Sequence, residues 1–475
     1  MGETSNSAPL GVTGVLSTWL AETTLEHIPV RVRERVKHLL LDGIGCALVG
    51  AQLDWSRIGV EAITALESGT SPLIGWGGRT TGAAAAAMLN SSFIQGFELD
   101  DYHPLAPLHS ASILLPAILA AADGMDGPIA GDTVLLAAVR GFEIGPRIGL
   151  GLHGGEMLTR GWHSGPVFGT FTAAAAAGTV YGLDAAGFED ALGIAATQSG
   201  GLMAAQFESM VKRMQHGFAA RNGLYAAKLA AGGYVGIKRV LEREYGGFLS
   251  TFGEGHNPDP AAIIAALGER WETEKIAVKP YAAMGGLHAA IDAALELRAA
   301  DGFDPAAVER ISIAMSEPVF NHGGWAAVRP LEPIGAQMNV AYATAVALLD
   351  GAALADQFSS ERINADDVWR LIERTDARHD PDLDLLPADE QQTTTVEITY
   401  RTGRNARVTV SHPRGTGGNL LSNQDVVDKY RSLTQRLLSP ERRRDIERAV
   451  LGIEQLDDVS ELTGLLTPAV ASALG

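Results

Sequence analysis

Between Glu98 and Ser110 the chain reads Glu-Leu-Asp-Asp-Tyr-His-Pro-Leu-Ala-Pro-Leu-His-Ser. Three carboxylates (Glu98, Asp100, Asp101), a phenol (Tyr102) and two imidazoles (His103, His109) thus share one proline-broken segment. Neither a helix nor a strand makes structural use of such a cluster. Its flanks are apolar, Phe93, Ile94 and Phe97 before it and Ile113, Leu114 and Leu115 after it, so the segment is expected to be drawn inward. Half-buried carboxylates and imidazoles shift one another's pKa values, and groups so perturbed are suited to moving protons.

Further segments set bases beside glycine or proline. Gly161-Trp162-His163-Ser164-Gly165-Pro166 precedes an alanine-rich helix, which puts His163 near a helix N-terminus, a place that favours anions. A capping or core histidine would also fit there. Met210–Gly217 concentrates Lys212, Arg213 and His216 in an otherwise apolar, alanine- and glycine-rich stretch. If this is not a surface patch, Arg213 can hold a carboxylate by two parallel hydrogen bonds, with Lys212 acting as a compact charge. Lys279, in Lys279-Pro280-Tyr281, opens the C-terminal module and would reach a cleft from the other side. His288 reads as a plain helix cap, and His27, His38, His379 and His412 are given no role.

Several chemistries find no motif. Gly149-Leu150-Gly151-Leu152-His153-Gly154 matches a dinucleotide fingerprint by letter, but no strand precedes it, and it reads as a loop. There is no phosphate-binding loop, no histidine pair at zinc-protease spacing and no Gly-x-Ser-x-Gly. Asp100, Asp101, His103 and His109 are chemically able ligands, but they match no spacing known for a metal, and none is expected.

The elements that must position these groups fall into two patterns. From about residue 10 to 265 the chain is mostly helical. Val30–Val49 has apolar residues at three- and four-residue spacing, and Ala83–Ala87 and Ala173–Ala177 are helix formers whose small side chains let helices approach closely. After about residue 270, Val308–Met315, Thr395–Tyr400 and Arg407–Ser411 alternate as strands, the last two joined by a hairpin turn over Arg401–Asn405. Helices are expected at Ala289–Leu297 and Ala336–Leu349. From Ser422 the pattern returns to charged amphipathic helix. The expected fold is mainly α, a large all-helical domain (1–270 and a C-terminal return over 416–475) with an inserted smaller α+β lid domain (271–415).

The 475 residues, 46% of them hydrophobic, can bury a sizeable core. With 37 Lys and Arg against 56 Asp and Glu, the net charge of −19 disfavours nucleic acid and anionic membranes as partners, so an anionic substrate needs a local positive pocket. Cys46 is the single cysteine, which rules out an internal disulfide. Met1–Pro9 lacks the basic start and apolar run of a signal peptide, and no apolar run is long enough to span a bilayer. The chain reads as soluble and cytoplasmic.

Long contiguous segments carry a likeness to a known family. They include Leu41–Ile44, Leu99–His103, Ala106–Ser112, Gly161–His163, Val211–Arg213, Gln215–Gly223 and Tyr245–Leu249. Over essentially its whole length the chain resembles the MmgE/PrpD family, which holds 2-methylcitrate dehydratases, cis-aconitate decarboxylases and iminodisuccinate epimerases. Within it the sequence is similar to the fungal-type decarboxylases. The resemblance implies a helical domain with an α+β lid, a homodimer, and neither metal nor organic cofactor. It also implies a site in which His109, His163, Lys212 and Lys279 match functional residues of the decarboxylases. Two positions depart from the animal enzymes: Glu98 replaces an aspartate and Met284 replaces a lid histidine.

The expected activity is decarboxylation of cis-aconitate to itaconate. Lys212, Arg213 and Lys279 would hold the substrate, helped by Glu98, Tyr102, His103 and His216. His109 or His163 would deliver the proton, with Asp100 or Asp101 keeping that imidazole charged. A dehydratase, an epimerase or a non-catalytic binding protein would use the same groups, and the residues alone leave these open.

Overall fold

The computed structural model describes residues 10–207, 209–387 and 390–474. Met1–Pro9, the stretch tested above for a signal peptide, lies outside the described residues.

Six helices build the part that carries most of the site: α1 (Val30–Gly50), α2 (Ala83–Ile94), α3 (Ser110–Asp123), α4 (Gly131–Gly151), α5 (Ser164–Val180) and α6 (Val211–Ala231). α5 packs against α3, α4 and α6 and is buried along all 17 of its residues, as expected for a helix without a polar face. Its alanines allow the close approach. A Cβ on Gly223 of α6 would stand 2.4 Å from the Ala173 Cβ, so only glycine fits there.

The acidic segment is not wholly irregular, which corrects one expectation. Asp101–Tyr102 form a short strand, β1, antiparallel to β2 (Ala277–Val278), with Asp101 opposite Val278 and Tyr102 opposite Ala277. This pairing stitches the segment to the entrance of the C-terminal module. Beyond β2 come α7 (His288–Ala299) and strand β3 (Val308–Met315), then α8 (Val340–Asp350). β4 (Thr375–His379), β5 (Thr394–Tyr400) and β6 (Asn405–Val410) complete a sheet of order β4-β3-β5-β6. β3 lies antiparallel to β5 with Ile313 opposite Val396, and Val396 in turn faces Val408 of β6. The turn between β5 and β6 has Gly403 at φ +82°. β4 runs parallel to β3 and was not foreseen, because Thr-Asp-Ala-Arg-His carries the charges of a sheet edge instead of an apolar alternation. α7 lies on β5 and β6 and against α8.

The helix expected over Ala336–Leu349 is two helices, Pro333–Gln337 and α8. The Asn339 side chain accepts the Tyr342 N–H at 3.0 Å and donates to the Trp325 carbonyl at 2.7 Å, so a new helix starts there. Gly149–Gly151, expected in a loop, forms the end of α4. His153, at φ +50°, then opens the short helix Gly154–Thr159.

After the sheet, α9 (Asn423–Thr434) packs on α1. Lys429 of α9 stands 2.6 Å from Asp42 Oδ1 and donates to the Leu99 carbonyl, reaching the base of the acidic segment. With 58% helix and 8% strand the fold is mainly α with a smaller α+β part, as the sequence led one to expect. Among the described residues no single helix is long and apolar enough to cross a membrane.

Candidate active site

A cavity of about 610 Å³ lies between the helical part and the α+β module. Three helices begin at its wall. His109 immediately precedes α3, His163 immediately precedes α5, and Lys212 is the second residue of α6. The Ser164 hydroxyl donates to the Pro107 carbonyl at 2.7 Å, tying the first two starts together. Helix starts offer unpaired N–H groups and the positive end of the backbone dipole, so their convergence suits an anion.

Glu98 holds the centre of the charge arrangement. It sits in left-handed backbone conformation, φ +55°, which for a residue with a side chain costs roughly 1–3 kcal/mol and is tolerated where surrounding contacts enforce it. Here those contacts are three cations. Lys212 and Arg213 share Oε1, the latter at 2.7 Å, and Lys279 reaches Oε2 at 2.8 Å. Lys279 directly follows β2, so the β1–β2 pairing brings it to Glu98. Burial alone would raise the Glu98 carboxyl, but Lys212, Lys279 and Arg213 hold it well below the usual carboxylate range. Burial pushes the Lys212 ammonium down against the pull of Glu98. Three cations around one carboxylate leave a local positive surplus in an acidic protein, the pocket its net charge demanded. Tyr102 is at the same wall, with Lys279 Nζ 5.9 Å from its ring centroid.

The imidazoles form a layered array. His163 Nδ1 lies 2.7 Å from Gln215 Oε1, and Gln215 Nε2 donates to the Leu202 carbonyl at 3.0 Å. The amide so oriented makes His163 Nδ1 the donor and leaves Nε2 free for the cavity. Burial, reinforced by Lys212, lowers the His163 pKa to about 3, so its ring is neutral in the free protein at pH 7. His109 Nδ1 is 3.1 Å from Asp100 Oδ2, off the line a hydrogen bond requires. His216 stands between these two rings, with centroids 5.0 Å from His109 and 4.9 Å from His163 and planes at 82° to both. Gly165 makes room for it, since a Cβ there would stand 2.6 Å from His216 Nε2. Burial drives His216 well below the ordinary imidazole range, and neither nitrogen has a partner among the described residues.

Of the residues singled out in the sequence, Glu98, Tyr102, His109, His163, Lys212 and Lys279 line the cavity. Asp100, Arg213 and His216 stand behind that wall. Arg213 is divided between Glu98 Oε1 and Gln337 Oε1, at 2.5 Å from the latter, and is not part of the lining. Asp101 and His103 take structural places, which corrects their expected roles. The Asp101 carboxylate accepts the Ala111 N–H at the first turn of α3, at 3.1 Å, while burial and then Asp100 and Asp42 push its carboxyl well above the ordinary range. His103 Nε2 lies 3.2 Å from Glu272 Oε2, and its Nδ1 accepts the Ala106 N–H at 3.0 Å. His288 is a core residue at the start of α7, its Nε2 3.2 Å from the Ala283 carbonyl and its pKa lowered to about 3 by burial. Among the described residues no group of three or more His, Cys, Asp or Glu side chains is arranged to hold a metal ion.

Some lining residues were missed by the sequence reading. His153, His322, Met338, Gln391 and Gln392 all border the cavity. His322, in Asn321-His322-Gly323-Gly324, carries the signal used elsewhere, an imidazole beside glycine. The glutamines carry none.

Comparison with known proteins follows the same two-part division. Residues 14–261 match the MmgE/PrpD N-terminal domain and residues 281–455 match the MmgE/PrpD C-terminal domain. A cis-aconitate decarboxylase-like protein of Aspergillus oryzae is 45% identical over 485 positions, covering 98% of this chain and 99% of its own. The cis-aconitate decarboxylase of Aspergillus terreus is 41% identical, with 99% and 98% covered. That of Homo sapiens is 26% identical, with 97% and 96% covered. Both domain matches and full-length relatedness lead to one statement: the chain belongs to the MmgE/PrpD family.

Proposed function

We propose that this protein decarboxylates cis-aconitate to itaconate without metal or organic cofactor. The observation that carries the reading is the meeting, in one cavity, of two imidazoles at helix starts with two ammonium groups from separate parts of the chain. Relatives that match end to end and bear the name of that activity support it.

cis-Aconitate has three carboxylates, one of them on the saturated carbon next to the C=C bond. When that carboxylate leaves as CO₂, the electrons of its C–C bond become an allylic carbanion. The charge spreads to the former vinylic carbon and the carboxylate beyond it. Protonation at that carbon gives itaconate, so each turnover consumes one proton and releases one CO₂. Lys212 and Lys279 supply positive charge to the substrate carboxylates, and fixed charges in a water-poor site act most strongly as the carbanion develops. The proton comes from the imidazolium of His109 or His163, a step expected to contribute about 10²–10⁴-fold. His163 is neutral in the free protein, and the negative charge of the bound substrate restores its affinity for a proton. Asp100 Oδ2 lies 3.1 Å from His109 Nδ1.

The same reading has the chain pair with a second copy. Val211, Phe218, Tyr225 and Leu229 share the outer face of α6 at seven-, seven- and four-residue spacing, all exposed, with Phe207 and Met210 exposed just before it. Lys212, Arg213 and His216 lie on the inner face of the same helix. Sedimentation would give twice the chain mass, and Phe218→Glu with Tyr225→Glu would return the monomer. A cytoplasmic location belongs to this reading and fits a buried free cysteine, Cys46.

The function is tested by incubating the purified protein with cis-aconitate, trans-aconitate, 2-methylcitrate and iminodisuccinate and following each by proton NMR. Itaconate from cis-aconitate is expected. Turnover of 2-methylcitrate or iminodisuccinate with cis-aconitate untouched would overturn the reading in favour of dehydration or epimerisation.

A further inference from the structure

We infer that His322 is a carboxylate-binding residue, which completes the polyanion site from the α+β module. The inference rests on the polycarboxylate reading above and extends it to a residue that reading does not use.

His322 lies on the short helix Glu317–Gly323 and lines the cavity together with Met284, Val319 and Met338. Its Nδ1 is 2.6 Å from the Pro318 carbonyl, an oxygen that can only accept. The Nδ1 proton is thereby fixed, and Nε2 is the nitrogen left for a ligand. Lys279, the other basic residue that the module contributes to the cavity wall, is already bound to Glu98. His322 has no carboxylate within ion-pair distance among the described residues. A ligand carboxylate therefore meets at Nε2 a group whose charge is not already matched, beside side chains that offer no competing charge. An Nε2–H donated from that position to a carboxylate belongs to the stronger class of hydrogen bond.

The wall is polar as well as basic. Tyr102 Oη and Gln392 Oε1 are buried near one another, without a well-formed hydrogen bond between them. Both residues line the same cavity, Gln392 from the module and Tyr102 from the acidic segment. A tricarboxylate held at one end by Lys212, Lys279 and the helix starts would place its remaining carboxylate at the module wall, where His322 stands.

The test uses His322→Gln, which keeps a polar side chain but cannot carry charge, and His322→Phe, which keeps only the ring. Titration calorimetry with tricarballylate, a saturated tricarboxylate without the C=C bond, reads binding independently of turnover. Glutarate serves as the dicarboxylate control. Wild type binds tricarballylate more tightly than glutarate. Both substitutions weaken tricarballylate roughly tenfold or more, the size of one charge-assisted hydrogen bond, and weaken glutarate much less. With cis-aconitate the loss falls on KM more than on kcat. His322→Phe protein that melts like wild type and binds tricarballylate equally well would overturn the inference, as would a loss confined to kcat. If wild type binds tricarballylate in a His322-dependent way but does not decarboxylate cis-aconitate, the decarboxylase reading fails and the assignment of His322 stands. If wild type binds no tricarboxylate, both fail.

Discussion

Replacing Lys279 by methionine removes one of the three cations on Glu98 while keeping most of the side chain's length and bulk. In the wild type the ammonium lies 2.8 Å from Oε2, with both side chains 2% exposed. Removing one partner of a buried ion pair costs about 3–5 kcal/mol, because the other charge is left without compensation. Lys212 and Arg213 still hold Oε1, so the low end of that range, about 3 kcal/mol, is expected. Urea unfolding of wild type and variant measures this directly. The effect on catalysis is separate. A fixed cation facing charge that develops in the transition state is worth about 10²–10³ in kcat in comparable sites. Release of CO₂ from saturating cis-aconitate should therefore slow by about that factor, with KM rising as well. A folded Lys279→Met protein that kept kcat within about threefold of wild type would refute the argument that this ammonium stabilises the carbanion.

Three further outcomes follow from the same charges. Glu98→Gln leaves Lys212, Arg213 and Lys279 facing one another without their carboxylate, so the free protein loses about 3–5 kcal/mol. A bound tricarboxylate should then raise its melting temperature by more than it raises that of wild type, and equal increments would contradict this. His163 and His288 have folded pKa values lowered to about 3 from 6.5, so between pH 3 and 6.5 the unfolded chain binds protons that the folded chain does not. Stability is full above pH 6.5 and falls as the pH drops, by about 2 kcal/mol per histidine at pH 5; an unaltered urea midpoint between pH 7 and 5 would be the contrary result. Finally, tricarboxylate binding at pH 7 should take up protons as His163 regains its charge. Calorimetry in two buffers of different ionisation enthalpy detects this, and the uptake should fall in His163→Asn.

Much of the fold was legible in the residues. Val308–Met315 alternates because β3 buries Ile311 and Ile313 on one face, and the alanine runs are helical because close packing around α5 needs small side chains. What failed was local. Asn339 breaks a stretch of helix-forming residues by capping a new helix, and Thr375–His379 makes an edge strand whose charges hide it. The site follows the same pattern. Glu98, His109, His163, Lys212 and Lys279 stand out as polar groups in apolar or glycine-rich surroundings, and the structure brings them to one cavity. Asp101 and His103 share that sequence signal but turn to Ala111 and Glu272, because neighbours along a chain leave it in different directions. His322 was overlooked because its segment lies far from the other bases, and Gln392 because an amide has no titration to betray it.

In the proposed reaction this cavity removes CO₂ from cis-aconitate and returns a proton to the far end of the allylic system. Running the reaction in D₂O and reading the product by proton NMR, with CO₂ measured in the headspace, tests it most directly. One CO₂ per itaconate is expected, with one deuterium on the methylene carbon between the C=C bond and its carboxylate and none on the terminal =CH₂. Deuterium on the terminal carbon, or cis-aconitate consumed without release of CO₂, would contradict it.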